Sequence, residues 1–382
     1  MKKIIRITTV PISLKILLKG QPKFMSSYYE VLGISSGGQE LLDVSTDEGI
    51  RVLPVEMTRT ISPLKDLKSL YILYRILKKE KPFIVHTHTP KAGIIGMLAS
   101  KLVGVPNRLH TVAGLPLMEA TGNKRRLLDF VEKMTYKCAT KVYPNSNELY
   151  HFILKNNYAK SDKLKVLGNG SSNGINTSFF DPNVVSETDR QKLKSTLNIS
   201  DEDFVYVFVG RLVGDKGINE LVKAFTQISE KNVKLLLVGP LESDLDKLET
   251  QVLKTIESND KIISTGYQKD VRTYLSISDA LVFPSYREGF PNVVLQAGAM
   301  GLPSIVTNIN GCNEIIVKDI NGTIISVKNM QMLYDAMMKF YLDKNYFLKL
   351  KSNARQMITS RYEQNVIWNA ILSEYKNFEK NV

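Results

Sequence analysis

Twelve short apolar runs, each separated from the next by a longer stretch whose apolar residues recur at helical spacing, constrain the fold of this chain more than any other feature. Six lie in the first half (IIRITTV, YEVLGIS, IRVLPVEM, FIVHTHT, RLHTVAG, KVYPNS) and six in the second (FVYVFVGR, KLLLVGP, IISTGY, ALVFPS, PSIVTN, TIISV). Runs of this length bounded by helical segments read as strands of parallel sheets covered by helices, an α/β architecture. With 382 residues the chain is too long for one ordinary core. Gly, Asn and Ser concentrate in LGNGSSNGINTSFFDPN, residues 167–183, which marks the boundary. The expected division is a first domain at 1–170, a linker at 171–200, a second domain at 201–360 and a C-terminal helix at 361–382 that packs back toward the first domain. Each half reads as a doubly wound, Rossmann-like domain. Two such domains facing each other form a cleft between their C-terminal strand edges, where open α/β sheets bind ligands.

Local signals agree with this reading. Ser62 as N-cap and Pro63 at the first helical position open a helix carrying Leu64, Leu67, Leu70, Tyr71, Tyr74 and Leu77 at spacings of three and four. KAGIIGMLASKLVG and KRRLLDFVEKMTYKCA are two further helices, and the chain finishes with two helices from about 331 to 379. MKKIIRITTVPISLKILLKG superficially resembles a signal peptide, but Arg6, Lys15 and Lys19 interrupt its apolar core, so a first strand and helix are expected. No run of 18 apolar residues predicts a membrane span.

The net charge of +13 is unevenly placed: residues 1–180 hold 27 Lys and Arg against 13 Asp and Glu, the remainder 24 against 25. A basic first half favours anionic lipid head groups, nucleic acid or a phosphorylated substrate. Nucleic acid is the least favoured, because neither an interleaved aromatic and basic motif nor a helix-turn-helix pattern is present. Lys124, Arg125 and Arg126 are expected to join Lys15, Lys19 and Lys23 in one basic, membrane-facing rim. Cys138 and Cys312 stand far apart without histidines at metal spacing and read as buried thiols.

Two segments of the second half carry chemistry. In VFVGRLVGDKGINELVKAF a strand runs through a glycine-punctuated loop into a helix, and Arg211 and Lys216 fall where that helix begins. Two cations at the positive end of a helix repel unless an anion joins them, so this loop predicts a phosphate. In ALVFPSYREGFPNVVLQAGAMG a strand is followed by a turn in which Pro291 starts the next helix and leaves backbone N–H groups free. Glu288, just before that end, suits sugar hydroxyls, since an ionised carboxylate only accepts hydrogen bonds.

Together these segments, with IVHTHTPKAGIIGMLASKLVGVPNRLHTVAGLP in the first half, resemble the retaining, GT-B-fold glycosyltransferases of the large sucrose-synthase-like group, family 4 or "group 1", in the branch that builds capsule, O-antigen and exopolysaccharide. The resemblance covers essentially the whole chain. It implies that Arg211 and Lys216 hold the donor diphosphate, that Glu288 contacts the donor sugar, and that Gly210 and the backbone of Gly289, Phe290, Pro291 and Asn292 line the same site. The family pattern of glutamate, seven residues, glutamate places Gln296 at the usual ribose-binding position. An amide oxygen still accepts from a ribose diol, although the charge-assisted bond is lost.

A second departure concerns a histidine that ends a first-domain strand in many members. Ala113 occupies that place here, with His110 three residues earlier as a candidate substitute. Residues three apart on a strand face opposite sides, which favours His110 as a packed residue. His86 and His88 share one side, and His88 with Lys91 is expected to contact the acceptor or a diphosphate. The resemblance implies transfer from a nucleotide sugar, a UDP-hexose or UDP-N-acetylhexosamine, to a polyprenyl-diphosphate-linked saccharide at the cytoplasmic membrane face. SDLD, residues 243–246, falls in an expected helix rather than at a strand end, so no metal and no other cofactor is invoked. Two alternatives keep the fold: a UDP-N-acetylhexosamine 2-epimerase, which would need acid and base carboxylates in the first domain, and a nucleotide-sugar-binding homologue without turnover.

Overall fold

The computed structural model describes residues 1–380 other than 59, 61, 116, 118, 119 and 243–245. Its chain divides into two compact units, one formed by Met1–Gly174 with Asn365–Val382 and the other by Ile175–Gln364.

The first unit holds six parallel strands: β1 (Lys3–Ile7), β2 (Glu30–Ser35), β3 (Arg51–Pro54), β4 (Ile84–Thr87), β5 (Asn107–Val112) and β6 (Lys141–Pro144). The second holds β7 (Phe204–Val209), β8 (Val233–Val238), β9 (Ile262–Ser264), β10 (Ala280–Phe283), β11 (Ser304–Thr307) and β12 (Gly322–Ile325). All twelve apolar runs of the sequence become these strands. The sheet orders are β3-β2-β1-β4-β5-β6 and β12-β11-β10-β7-β8-β9, which is one topology used twice and the order of a Rossmann domain. In each sheet the order reverses between its first and fourth strands, and loops leaving that pair diverge to opposite sides.

Both faces of the first sheet are covered. One face packs Ile5, Ile7 and Val85 with Leu73 and Leu77 of helix Pro63–Glu80 and Tyr136 of helix Gly122–Cys138. The other packs Ile4, Leu109 and Tyr143 with Leu14 of helix Pro11–Leu17 and with Ile367, Ile371 and Tyr375 of helix Gln364–Lys380. Burying each such aliphatic or aromatic side chain is worth about 1.5–3 kcal/mol, so the last helix is firmly part of this unit.

Four expectations need correction. The stretch 171–200 is not a free linker: residues from Ile175 onward belong to the second unit. Arg355 fixes them there, donating to the carbonyls of Thr177 (3.1 Å) and Phe180 (2.9 Å) and pairing with Asp181 (2.6 Å). The C-terminal region forms three helices, Met330–Leu342, Lys344–Tyr362 and Gln364–Lys380, because Asp343 and Glu363 leave helical geometry. Lys15 and Lys124–Arg126 do not share a rim, since their helices cover opposite faces of the same sheet. In helix Pro63–Glu80 the buried residues are Ser69, Leu73 and Leu77, whereas Leu64, Leu67 and Tyr71 point outward. Residues 243–245 of the SDLD segment lie outside the described residues.

Candidate active site

In the second unit the loops after β7 and β10 leave neighbouring strands at the point where the strand order reverses. Gly217 allows them to touch. Its φ is +73°, and a Cβ there would stand 2.2 Å from the Pro284 carbonyl oxygen, so only glycine fits both the backbone and the space. A third loop, after β11, closes in through Gly311 (φ +76°), where a Cβ would fall 2.7 Å from the Gly289 carbonyl oxygen.

This approach brings Lys216 Nζ to 2.5 Å from Glu288 Oε1, with the two side chains 15% and 18% exposed. Ser285 donates its hydroxyl to the same oxygen at 3.1 Å and to the Arg287 carbonyl at 3.1 Å. Among the described residues Glu288 Oε2 has no hydrogen-bond partner. The backbone of the turn is held from behind: the Asn310 amide donates to the carbonyls of Glu288 (3.3 Å) and Gly289, and Thr307 donates to that of Ser285. Asp215, beside Lys216, pairs with Arg287 (2.8 Å) and receives no proton donor at its buried Oδ1. Its N–H and that of Gly214 donate to Asp246, which anchors the loop. Burial, then the Glu220 carboxylate 2.7 Å away, raises the Tyr286 phenol well above its ordinary pKa and keeps it neutral.

Pro291 is the N-cap of helix Asn292–Ala299 rather than its first helical residue, and no side chain caps that end. Asn292 is exposed at the helix start, and Phe290 packs on the Tyr362 ring at 5.5 Å. Gln296 lies one turn further along, half-buried, its side chain without a hydrogen bond among the described residues. Gly210 directly follows β7 and donates to the Val238 carbonyl (2.9 Å), and the exposed Arg211 pairs with Glu242 at 3.2 Å. Thus Lys216 and Arg211 are not two uncompensated cations, as the spacing suggested. Each already has a carboxylate, and a phosphate would compete for or join those pairs.

In the first unit His88 and Lys91 also follow a strand at the reversal point, β4. Lys91 pairs with Asp66 at 2.6 Å. His86 and His88 do lie on one side, their rings 4.2 Å apart, over a fully buried Arg6. Arg6 NH1 lies 3.2 Å from His86 Nδ1 and 2.9 Å from His88 Nε2. Guanidinium nitrogens only donate, so both ring nitrogens accept and His88 carries its proton on Nδ1, where it has no partner. Tyr375 lies 2.5 Å from His86 Nδ1 and Thr111 2.7 Å from Nε2. Burial above all, then His88, Arg6 and His110, hold His86 well below the ordinary imidazole pKa, and burial, Arg6 and His110 do the same for His88. His110 faces the other way. Its Nδ1 meets the Thr87 hydroxyl at 2.7 Å, its ring covers Gly93, and burial lowers its pKa to about 4, the setting of a packed core residue. Ala113 sits half-buried just beyond β5, its carbonyl accepting from Asn145 at 3.3 Å.

The sequence marks Arg6 only as an interruption of an apolar run and does not single out Ser285, Asp215 or Asn310. For Arg6 the signal is present, a lone cation in the apolar run IIRITTV of a parallel strand. For the others nothing in a linear pattern tells a loop residue that props a neighbouring turn from one that faces solvent.

Two family models cover most of the chain: the glycosyl transferases group 1 model matches residues 189–357 and the glycosyl transferase 4-like model residues 17–147. The chain is 35% identical to the capsular polysaccharide biosynthesis glycosyltransferase CapM of Staphylococcus aureus, over 99% of this chain and 98% of that one. It is 32% identical to the UDP-Gal:alpha-D-GlcNAc-diphosphoundecaprenol alpha-1,3-galactosyltransferase of Escherichia coli, over 83% and 81%. A glycosyltransferase from Rickettsia africae ESF-5, at 22% identity, superposes with a TM-score of 0.83 over 100% of this chain and 99% of its own, which shows the shared fold. With two Rossmann-like units and the group 1 motifs at a strand-order reversal, the chain belongs to the group 1 glycosyltransferases and is a sugar-transferring enzyme of the GT-B fold.

Proposed function

We propose that this enzyme moves a hexose or N-acetylhexosamine from a UDP-sugar, with retention at the anomeric carbon, to a saccharide carried on a polyprenyl diphosphate. Surface-polysaccharide assembly on the inner face of the cell membrane is the corresponding setting. The observation that carries the reading is the Lys216–Glu288 pair at the reversal point of the second sheet. A donor diphosphate placed at the open start of helix Asn292–Ala299 draws Lys216 toward its oxygens, with Arg211 adding charge from the rim. Glu288, with Oε2 turned free, accepts from donor-sugar hydroxyls. As the bond to the anomeric carbon breaks, negative charge grows on the leaving diphosphate, where fixed cations and helix N–H groups stabilise the transition state more than the ground state. Gln296, one turn into the helix, accepts from the ribose. His88 offers its Nδ1 proton to an acceptor oxygen as a neutral donor, and His110 supports the sheet rather than the reaction.

Support for donor and acceptor comes from the relatives: the Escherichia coli enzyme is named for a UDP-sugar donor and a diphosphoundecaprenol-linked acceptor. The basic first half fits an anionic acceptor and an anionic membrane surface, and no helix among the described residues is long and apolar enough to cross a bilayer. The test is transfer from a panel of UDP-, GDP- and dTDP-sugars to polyprenyl-diphosphate saccharides, with the anomeric configuration read by NMR. UDP-sugar-dependent product with retained configuration that persists in a chelator is expected. UDP-sugar interconversion without acceptor would replace this reading by an epimerase.

A further inference from the structure

On one face of the first unit, the outward residues of helix Pro63–Glu80 and of helix Gly122–Cys138 border a groove of about 360 Å³. Its floor is Ile94, Ile95 and Leu98 of helix Pro90–Val103. Of the lining residues Leu67 is 63% exposed and Leu127 44%, and on the same two helices, outside the groove, Leu64 is 86% and Phe130 61% exposed, a concentration of open apolar surface that a soluble face does not ordinarily carry. The charged residues lining the groove, Asp66 and Lys91, neutralise each other at 2.6 Å.

We propose that this groove takes the isoprenoid chain of the lipid-linked acceptor. The inference rests on the acceptor reading above and locates the part of that substrate which carries no sugar. Three observations select this occupant. The lining includes the first residues of helices Pro63–Glu80 and Pro90–Val103, which follow β3 and β4, so the groove reaches the C-terminal edge of the sheet, with the middle of helix Gly122–Cys138 closing its side. Lys91 both lines it and stands three residues from His88, so a chain lying in the groove brings its diphosphate to the acceptor-side residues. Each bordering helix carries five cations against two acids, a charge that suits an anionic lipid and repels a second copy of the same face. A branched hydrocarbon asks for no hydrogen bond, and walls of Leu, Ile and Val offer none.

The experiment compares two acceptors with the same saccharide and diphosphate, one on an undecaprenyl chain and one on a two-isoprene chain, in detergent without vesicles. Because each methylene buried in the groove adds affinity, wild-type enzyme is expected to show a KM at least ~10-fold lower for the longer chain. The double variant Leu67→Gln, Leu127→Gln, at exposed positions that do not support the core, is expected to abolish that difference while leaving the short-chain KM, kcat and melting temperature unchanged. Equal KM values for both acceptors in wild type, or a variant that weakens both alike, overturns the proposal. A variant defect confined to assays with anionic vesicles also overturns it, in favour of bilayer docking. Should wild type transfer to neither acceptor, the acceptor reading fails on its own. Equilibrium binding of undecaprenyl phosphate in detergent then decides the groove: binding by wild type and not by the variant upholds it, and no difference rejects it.

Discussion

Lys216 Nζ sits 2.5 Å from Glu288 Oε1, joining the loop after β7 to the loop after β10 across 72 residues of sequence. The cation proposed for the donor diphosphate is therefore held, before any donor arrives, by the carboxylate proposed for the donor sugar. Removing the cation leaves a largely buried carboxylate with a serine hydroxyl alone. Lys216→Ala is expected to lower kcat at least ~100-fold, as loss of a transition-state charge contact does, and to cost about 1–3 kcal/mol of stability without unfolding the protein. Steady-state kinetics beside thermal melting check this, and near-wild-type turnover would remove Lys216 from the phosphate site.

The Gln296 side chain makes no hydrogen bond among the described residues, so its substitution removes no side-chain hydrogen bond of the fold. Gln296→Glu supplies a charged acceptor for a ribose diol and is expected to bind UDP at least as tightly as wild type, measured by calorimetry. A clear fall in affinity would show that the amide serves as a donor.

At Gly217 the two site loops approach within the space of a single hydrogen atom. Gly217→Ala must move the Pro284 carbonyl or the 214–217 turn, and is expected to cost roughly 1–3 kcal/mol and to weaken nucleotide binding with it. Urea unfolding and UDP titration on the same variant measure the two effects, and loss of stability with unchanged UDP affinity would separate the turn from the donor site.

The buried histidines set a pH dependence. His110 has a pKa lowered from 6.5 to about 4, and His86 and His88 also lie below 6.5. The unfolded chain takes up these protons first, so stability rises with pH through this window and is lost as pH falls from 6.5 toward 4, His110 alone accounting for about 3 kcal/mol at the lower end. Glu132 works in the opposite direction: burial raises its pKa from 4.5 to about 7, so the unfolded chain loses this proton first and stability falls as pH rises between those values. Burial raises the Asp279 carboxyl in the same sense, and three imidazoles against two carboxyls give a net loss on acidification. Denaturant midpoints at pH 5 and pH 6.5 are expected to differ in that sense, and equal midpoints would mean that the histidines are charged in the fold.

Period and punctuation in the sequence are enough for the twelve strands, for helices such as Pro90–Val103, and for the two loops that carry Lys216 and Glu288. These are local properties: a parallel strand buried on both faces must be continuously apolar, and a loop that turns tightly into a helix needs glycine or proline at fixed places. The shared side of His86 and His88 follows from strand alternation alone. What tertiary structure decided is which partner each group meets. Arg211 and Lys216 read alike in sequence, yet one is exposed beside Glu242 and the other is enclosed with Glu288. The Leu64, Leu67 and Tyr71 stripe has the spacing of a core face, but Leu73 and Leu77 are the residues turned to the sheet. Arg6 looks like an interruption of a strand and lies instead under two histidines. Such outcomes depend on contacts between residues tens to hundreds of positions apart, and on which of several similar faces buries more apolar surface when the elements pack. Periodicity states that a face exists, and packing alone selects what it covers.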